Sequence, residues 1–213
     1  MSGASRVEAV LLAAGRSRRM GAFKPLLRFG ARSVVASCVE NLLGGGAHGV
    51  VAVVGHRAEE VRAELSRYDA RVSVAVNEDG GSEMGVSIAR GVEALSGGTR
   101  AVLLALADQP AVPPSVVREV VGAWRGGAAL VVPTHGGRGG HPVLVDLRFR
   151  SELLALPTGR GLRALFDEHR AEVLRLPVDS PYIVRDMDTW DEYAALHAEV
   201  FGRPPEASAP GGG

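Results

Sequence analysis

The sequence predicts an α/β fold: a Rossmann-like, mostly parallel, doubly wound sheet with helices on both faces and a small late antiparallel or edge portion. Three observations carry this expectation. Short apolar runs alternate with stretches of helical periodicity from residue 7 to residue 133. One run, Ala101–Leu106, is apolar throughout, the pattern of a strand covered on both faces. The 213 residues, 46% hydrophobic and 23% charged, suffice for one sizeable core.

The elements follow in order. Val7–Ala13 reads as a buried strand. Ser33–Leu43 reads as a helix, with Val34, Val35, Cys38, Val39, Leu42 and Leu43 at helical spacing, and Gly44-Gly45-Gly46 stops it. Val50–Val54 is a second strand, Ala58–Arg67 a charged surface helix, and Val72–Val76 a third strand. A polar loop from Asn77 to Gly81 leads into a helix over about Gly85–Leu95. After the Ala101–Leu106 strand, Pro113-Pro114-Ser115 opens a helix that runs through Trp124, and Leu130–Pro133 is a further strand.

The pattern changes beyond Pro133. Thr134–Pro142 is a glycine-rich loop, followed by Val143–Val145 and helical stretches at Leu147–Leu154 and Leu162–His169. Val173–Leu176 and Ile183–Val184 read as late strands. Thr189-Trp190-Asp191-Glu192 is a capping-box signature ahead of a final amphipathic helix. The expected organisation is one domain over residues 1–201 and a disordered Pro/Gly/Ala/Ser-rich tail over 202–213.

Charge narrows the partners. Lys+Arg and Asp+Glu both number 24, so no global field favours nucleic acid or a membrane, and positive function must be local. The single cysteine, Cys38, excludes an internal disulfide framework and fits a reducing compartment. The apolar run Val10–Ala14 is too short to span a membrane, and no signal-peptide pattern opens the chain, so a cytoplasmic location is expected.

The local charge lies in "LLAAGRSRRMGAFKPLL", residues 11–27. In an open α/β sheet, ligands sit beyond the carboxyl ends of strands, where this loop falls. Glycines admit backbone N–H groups to an anion, arginine forks grip phosphate oxygens, and Lys24 adds a compact charge. The loop suits a nucleoside triphosphate, although its composition is also that of a solvated basic loop. Its glycine spacing fits neither a Walker A loop nor a dinucleotide fingerprint.

Asp108 stands just past the buried strand, where a carboxylate can hold Mg²⁺ or begin a turn before Pro110. Asp186 and Asp188, two apart, share a side of an extended segment; Asp188 can equally begin the final helix. Ser87 has a small hydroxyl beside Gly85 near a helix start, where it can N-cap, and Asn77 suits a base, a ribose or an Asx turn. His141 sits in Gly139-Gly140-His141-Pro142, a rigid turn. The histidines and the cysteine show no zinc-ligand spacing, and His48, His56, His135, His169 and His197 receive no role.

The opening loop resembles the signature of the nucleotidyltransferase superfamily, a strand followed by L-A-[AG]-G-x-S-x-R-M-G-x-x-K. Leu12, Ala13, Gly15, Ser17, Arg19, Met20, Gly21 and Lys24 fall on it. "NEDGGSEMGVSIARGVEAL", "LALADQPAV", "GGRGGHPVLV" and "VRDMDTWDEYAAL" are similar to successive segments of the molybdenum cofactor cytidylyltransferase branch, in order, from about Val7 to Leu196. Three positions depart from the pattern: Ala107 and Glu83 replace glycines, and Trp190 replaces a proline.

The resemblance implies nucleotidyl transfer with Arg19, Lys24 and Asp108 as catalytic residues. It implies nucleotide contacts from Ala13, Ala14, Gly15, Arg16, Ser17, Arg19, Lys24, Asn77, Gly85, Ser87 and Asp108. Gly140 and His141 would meet the acceptor, and Asp108 with Asp186, Asp188 or both would hold Mg²⁺. Alanine at position 14, where guanylyltransferases carry glycine, implies CTP. The implied acceptor is a molybdopterin-type phosphate, with a molybdenum hydroxylase or its chaperone as partner. Cytidylyl transfer to a polyol or sugar phosphate, and non-catalytic nucleotide binding or cofactor delivery, are the rival readings.

Overall fold

The computed structural model describes residues 6–15, 20–79 and 83–206. The chain runs β1 (Arg6–Ala13), a small hairpin of β2 (Arg28–Phe29) and β3 (Arg32–Ser33), α1 (Val34–Gly44), β4 (Val50–Val54), α2 (Ala58–Leu65), β5 (Val72–Val76), α3 (Met84–Glu93), β6 (Thr99–Leu106) and α4 (Pro114–Arg125). It continues through β7 (Leu130–His135), β8 (Arg138–Gly139), β9 (Val143–Asp146), α5 (Arg150–Leu154), α6 (Leu162–Glu168), β10 (Val173–Pro177) and α7 (Trp190–Phe201).

The main sheet has the order β10-β7-β9-β6-β1-β4-β5, with β8 added on β7. Pairs β1–β4, β1–β6, β4–β5 and β7–β10 are parallel; β9 runs antiparallel between β6 and β7. The period of two in the strands sorts their side chains into two cores. Val7, Ala9, Leu11, Ala52, Leu103 and Ala105 face α1, α2 and α4. Val10, Val51, Val53, Val102 and Leu104 face α3, α5 and α6. Both faces of the central strands are therefore apolar, as the continuous hydrophobic runs require. Glycine sets the closest approach: a Cβ on Gly91 of α3 would lie 2.4 Å from a Val10 methyl. Among the described residues no helix is long and apolar enough to cross a membrane.

The late region departs from expectation in one place. Ile183–Val184 is not a strand but part of a 3₁₀ turn, Pro181–Val184. Pro181 fixes φ and removes a donor at the turn's start. The free Ile183 carbonyl accepts from the His141 amide at 2.9 Å. Strand β10 lies at an edge, as expected, pairing parallel to β7, and the antiparallel portion is β8 and β9. The final helix ends at Gly202 in the left-handed conformation, φ 70°. The expectation of a disordered tail falls, over residues 207–213, outside the described residues.

Candidate active site

Consecutive connections leave β1 toward β4 on one side and reach β6 on the other, which opens a crevice at the strands' carboxyl ends. The Ala107 amide donates to Leu12 O at 3.1 Å and fixes the end of β6 beside the end of β1. Ala13 is buried, Ala14 partly buried and Gly15 exposed with open space around it. A Cβ on Gly55, after β4, would come within 3.1 Å of Ala14 O, so the wall there is tight. Arg16, Ser17 and Arg19 lie outside the described residues. The loop is placed again at Met20, whose side chain is buried with Met187, Tyr193 and Leu196.

The charged residues converge on this crevice from distant parts of the chain. Lys24 Nζ donates to Asp188 Oδ1 at 2.6 Å. Asp108 is pushed up to about 6 by burial first, then by the Asp186 charge, with Lys24 opposing and Asp188 adding. Its Oδ1 is buried without a hydrogen-bond partner. Gln109, nearly buried, donates from Nε2 to Asp186 Oδ1 at 2.7 Å. Asn41 of α1 donates to Pro110 O at 2.9 Å and holds the intervening turn. A partnerless buried carboxylate oxygen among like charges fits a divalent cation held by one or two carboxylates together with substrate phosphates. It is not a ready-made three-carboxylate cage. Among the described residues, the one group of three metal-type ligands within 4.8 Å of one another is Glu152, Glu168 and His169, far along the sequence at α5 and the C-terminal end of α6. There His169 pairs with Glu152 at 2.7 Å, an ion pair that raises its pKa.

The other predicted residues divide. Asn77 Nδ2 donates to Ser87 Oγ at 3.0 Å, and Asn77 Oδ1 accepts from the Asp79 amide at 3.3 Å, the Asx turn expected of it. Ser87 does not cap α3: Glu83 occupies the N-cap, and Ser87 is buried one turn inside the helix. Gly85 packs against Leu156, where a Cβ would meet Leu156 Cβ at 3.4 Å. His141 is half-buried. Its Nδ1 lies 3.2 Å from Leu104 O, so Nδ1 carries the hydrogen, and burial lowers its pKa. Gly140 is sterically required, since a Cβ would lie 2.1 Å from Ile183 O.

Two departures from the family pattern make ties of their own. The Glu83 carboxylate accepts from the Gly159 amide at 2.5 Å, joining the start of α3 to the α5–α6 connection. Trp190 Nε1 donates to Met20 O at 2.9 Å. Neither contact, nor the Gln109–Asp186 bond, is visible in sequence, because each joins segments at least 76 residues apart.

A doubly wound sheet with lysine and aspartates gathered beyond β1 and β6 defines an α/β nucleotide-handling enzyme. The chain belongs to the family of MobA-like NTP transferase domains, whose profile matches residues 9–173. It is 34% identical to nicotine blue oxidoreductase of Paenarthrobacter nicotinovorans over 72% of this chain and 77% of that protein. It is 24% identical to molybdenum cofactor cytidylyltransferase of Escherichia coli, over 89% of this chain and 94% of the relative. Among solved structures, Rv0371c of Mycobacterium tuberculosis superposes with a TM-score of 0.80 at 27% identity, covering 92% of this chain and 99% of that one. A structure of Rv0371c in complex with manganese is also similar, with a TM-score of 0.74. The protein is accordingly a nucleotidyltransferase of this family.

Proposed function

We propose that this enzyme transfers CMP from CTP to the phosphate of a molybdenum-bearing, molybdopterin-type acceptor. An acceptor phosphate oxygen bonds to the α-phosphorus as the bond to the β-phosphate bridging oxygen breaks. The products are the cytosine dinucleotide and pyrophosphate. The observation that carries the transfer reading is the partnerless, buried Asp108 Oδ1 beside Lys24 and Asp186 at the end of β6. An acceptor phosphate is already ionised at neutral pH, so the protein's work is positioning and charge neutralisation rather than strong general-base catalysis.

In this reading Lys24 and Arg19 hold the triphosphate, with Ala13, Ala14, Gly15, Arg16 and Ser17 supplying the loop around it. Mg²⁺ held by Asp108 with Asp186 or Asp188 would neutralise charge on the phosphate oxygens. Gln109 fixes the Asp186 carboxylate. The Asn77–Ser87 pair offers both a donor and an acceptor at the head of α3 for a pyrimidine edge, and Ala14 narrows the entrance beside Gly55. The Gly140–His141 loop shapes the acceptor side through its bond to the Ile183 carbonyl. The relative named molybdenum cofactor cytidylyltransferase, aligned over 89% of this chain, supports the choice of CTP and acceptor. A molybdenum hydroxylase or its chaperone would then receive the product in the cytoplasm.

The test is pyrophosphate release from CTP and Mg²⁺ with a panel of acceptors: molybdenum cofactor, polyol phosphates and sugar phosphates. GTP serves as the competing nucleotide. Release with the molybdenum cofactor and CTP is expected. Release with a different phosphate alone reassigns the acceptor, and faster release with GTP overturns the choice of base. Because the 34% identical relative is named for a redox activity, reduced nicotinamide cofactors belong in a parallel arm. Their oxidation without pyrophosphate release would overturn the transfer reading.

A further inference from the structure

Trp190 opens the final helix, and its side chain reaches back toward the loop after β1. The indole Nε1–H donates to the Met20 carbonyl at 2.9 Å. Met20 is where the loop after β1 returns to the core, its own side chain 3% exposed against Met187, Tyr193 and Leu196. Two residues before Trp190, Asp188 accepts from Lys24 at 2.6 Å, four residues beyond Met20. One short stretch, residues 188–190, therefore grips the loop's exit twice, once through backbone and once through the lysine. The grip is rigid on its own side. Trp190 is the first residue of α7, behind a complete capping box of Thr189 and Glu192, and its ring meets Tyr193 edge-on at 5.4 Å.

We infer that Trp190 is a positioning residue for nucleotide binding: its indole N–H fixes the Met20 carbonyl at the exit of the phosphate loop. This deepens, and rests on, the reading of the β1 loop as the triphosphate site. The interaction is a single neutral hydrogen bond, which sets the scale of the effect.

The chain has two tryptophans, so a Trp124→Phe background leaves Trp190 as the sole indole reporter. In that background Trp190 emission should change on titration with CTP and Mg²⁺. Trp190→Phe, made in the otherwise unaltered protein, should weaken CTP binding and raise KM by about 2- to 10-fold, with kcat and melting temperature little changed. A purely structural role would lower the melting temperature instead. Should Trp190→Phe fold poorly, β-(3-benzothienyl)alanine at position 190 of the Trp124→Phe protein keeps the ring's shape and removes only the N–H, and the same rise in KM is expected. Unchanged CTP affinity in either protein overturns the positioning role while leaving the transfer reading intact. Failure of the unaltered protein to bind any nucleoside triphosphate overturns both.

Discussion

At the scale of single residues, Asp108 combines a cost to the fold with a use in the site. Burial and the Asp186 charge disfavour its ionised form, and Lys24 offsets this only in part, so it titrates near 6 rather than 3.8. An acid raised in this way binds more protons folded than unfolded. Stability therefore falls as pH rises from about 4 to about 6, and the deficit is complete above that. Asp108→Asn should stabilise the protein at pH 8 in the presence of a chelator, by about 1–3 kcal/mol, and make little difference at pH 4. Thermal melts at the two pH values check this; equal melting temperatures at pH 8 would show that the charge is relieved by its surroundings. The same substitution should cut turnover by about a hundredfold or more. Near-normal turnover at saturating Mg²⁺ would remove Asp108 from metal binding. Lys24→Ala should lower kcat more than CTP affinity, because a compact charge that follows the shifting phosphate acts mainly in the transition state. A raised KM with unchanged kcat would reduce Lys24 to a ground-state contact. Lys24, Asp108, Asp186 and Asp188 stood out in the sequence by their places at strand ends, in a glycine loop and on the family's motifs, and the fold brings them into one crevice. The roles of Gln109 and Trp190 were not legible there, since an amide or an indole acquires its role only from the partner the fold supplies.

At the scale of elements, the central strands were legible because burial on both faces leaves no polar positions to confuse the pattern. The hairpin of β2 and β3 was not, since two residues per strand carry no period. Ile183–Val184 misled for a related reason: β-branched residues suit strands, but Pro181 starts a turn whose carbonyl is committed to His141. Ser87 was read as an option for the N-cap because small polar residues favour that position, whereas the helix begins three residues earlier, at Met84. The 3₁₀ turn matters because it delivers Asp186, and Gly140 is what lets the two segments meet. Gly140→Ala places a Cβ 2.1 Å from Ile183 O, which must then move. The expected cost is about 1–3 kcal/mol, with loss of activity as the Asp186 segment shifts. Gly136→Ala is the control: φ there is positive, +56°, and the space is open, so stability falls by about 1–2 kcal/mol through backbone strain alone and activity per folded molecule stays. Equal loss of specific activity in both would show that Gly140 acts only through general loop strain.

At the scale of the whole molecule, the site is assembled from both ends of the chain. The sheet brings the ends of β1 and β6 together, but Asp186, Asp188 and Trp190 arrive only because α7 returns to the region after β1. That return has its own apolar seal: Met20, Phe29 and Val34 pack with Met187, Tyr193 and Leu196. Tyr193 Oη donates to Arg28 O at 2.5 Å, His197 Nε2 accepts from the Gly30 amide at 3.2 Å, and Phe201 stacks edge-on against Phe29 at 4.9 Å. Gly30 has φ +64° and would carry a Cβ only 2.6 Å from the Phe201 ring, so the hairpin turn is shaped to the helix. A capping box and helical periodicity announced α7 in the sequence; its docking partner could not be read, because the contacts span roughly 165 residues. A chain ending at Asp188 keeps every strand of the main sheet and both proposed late metal ligands. It loses Tyr193 and Leu196, each fully buried and worth about 1.5–3 kcal/mol, together with the Trp190 bond. Such a chain should retain its far-ultraviolet dichroism for strands and the other helices, bind a hydrophobic dye, and lose CTP binding at least as severely as Lys24→Ala. Retained CTP affinity in the shortened chain would mean that the β1 loop is ordered without α7, and the C-terminal helix would then be a cover for the apolar seal rather than part of the site.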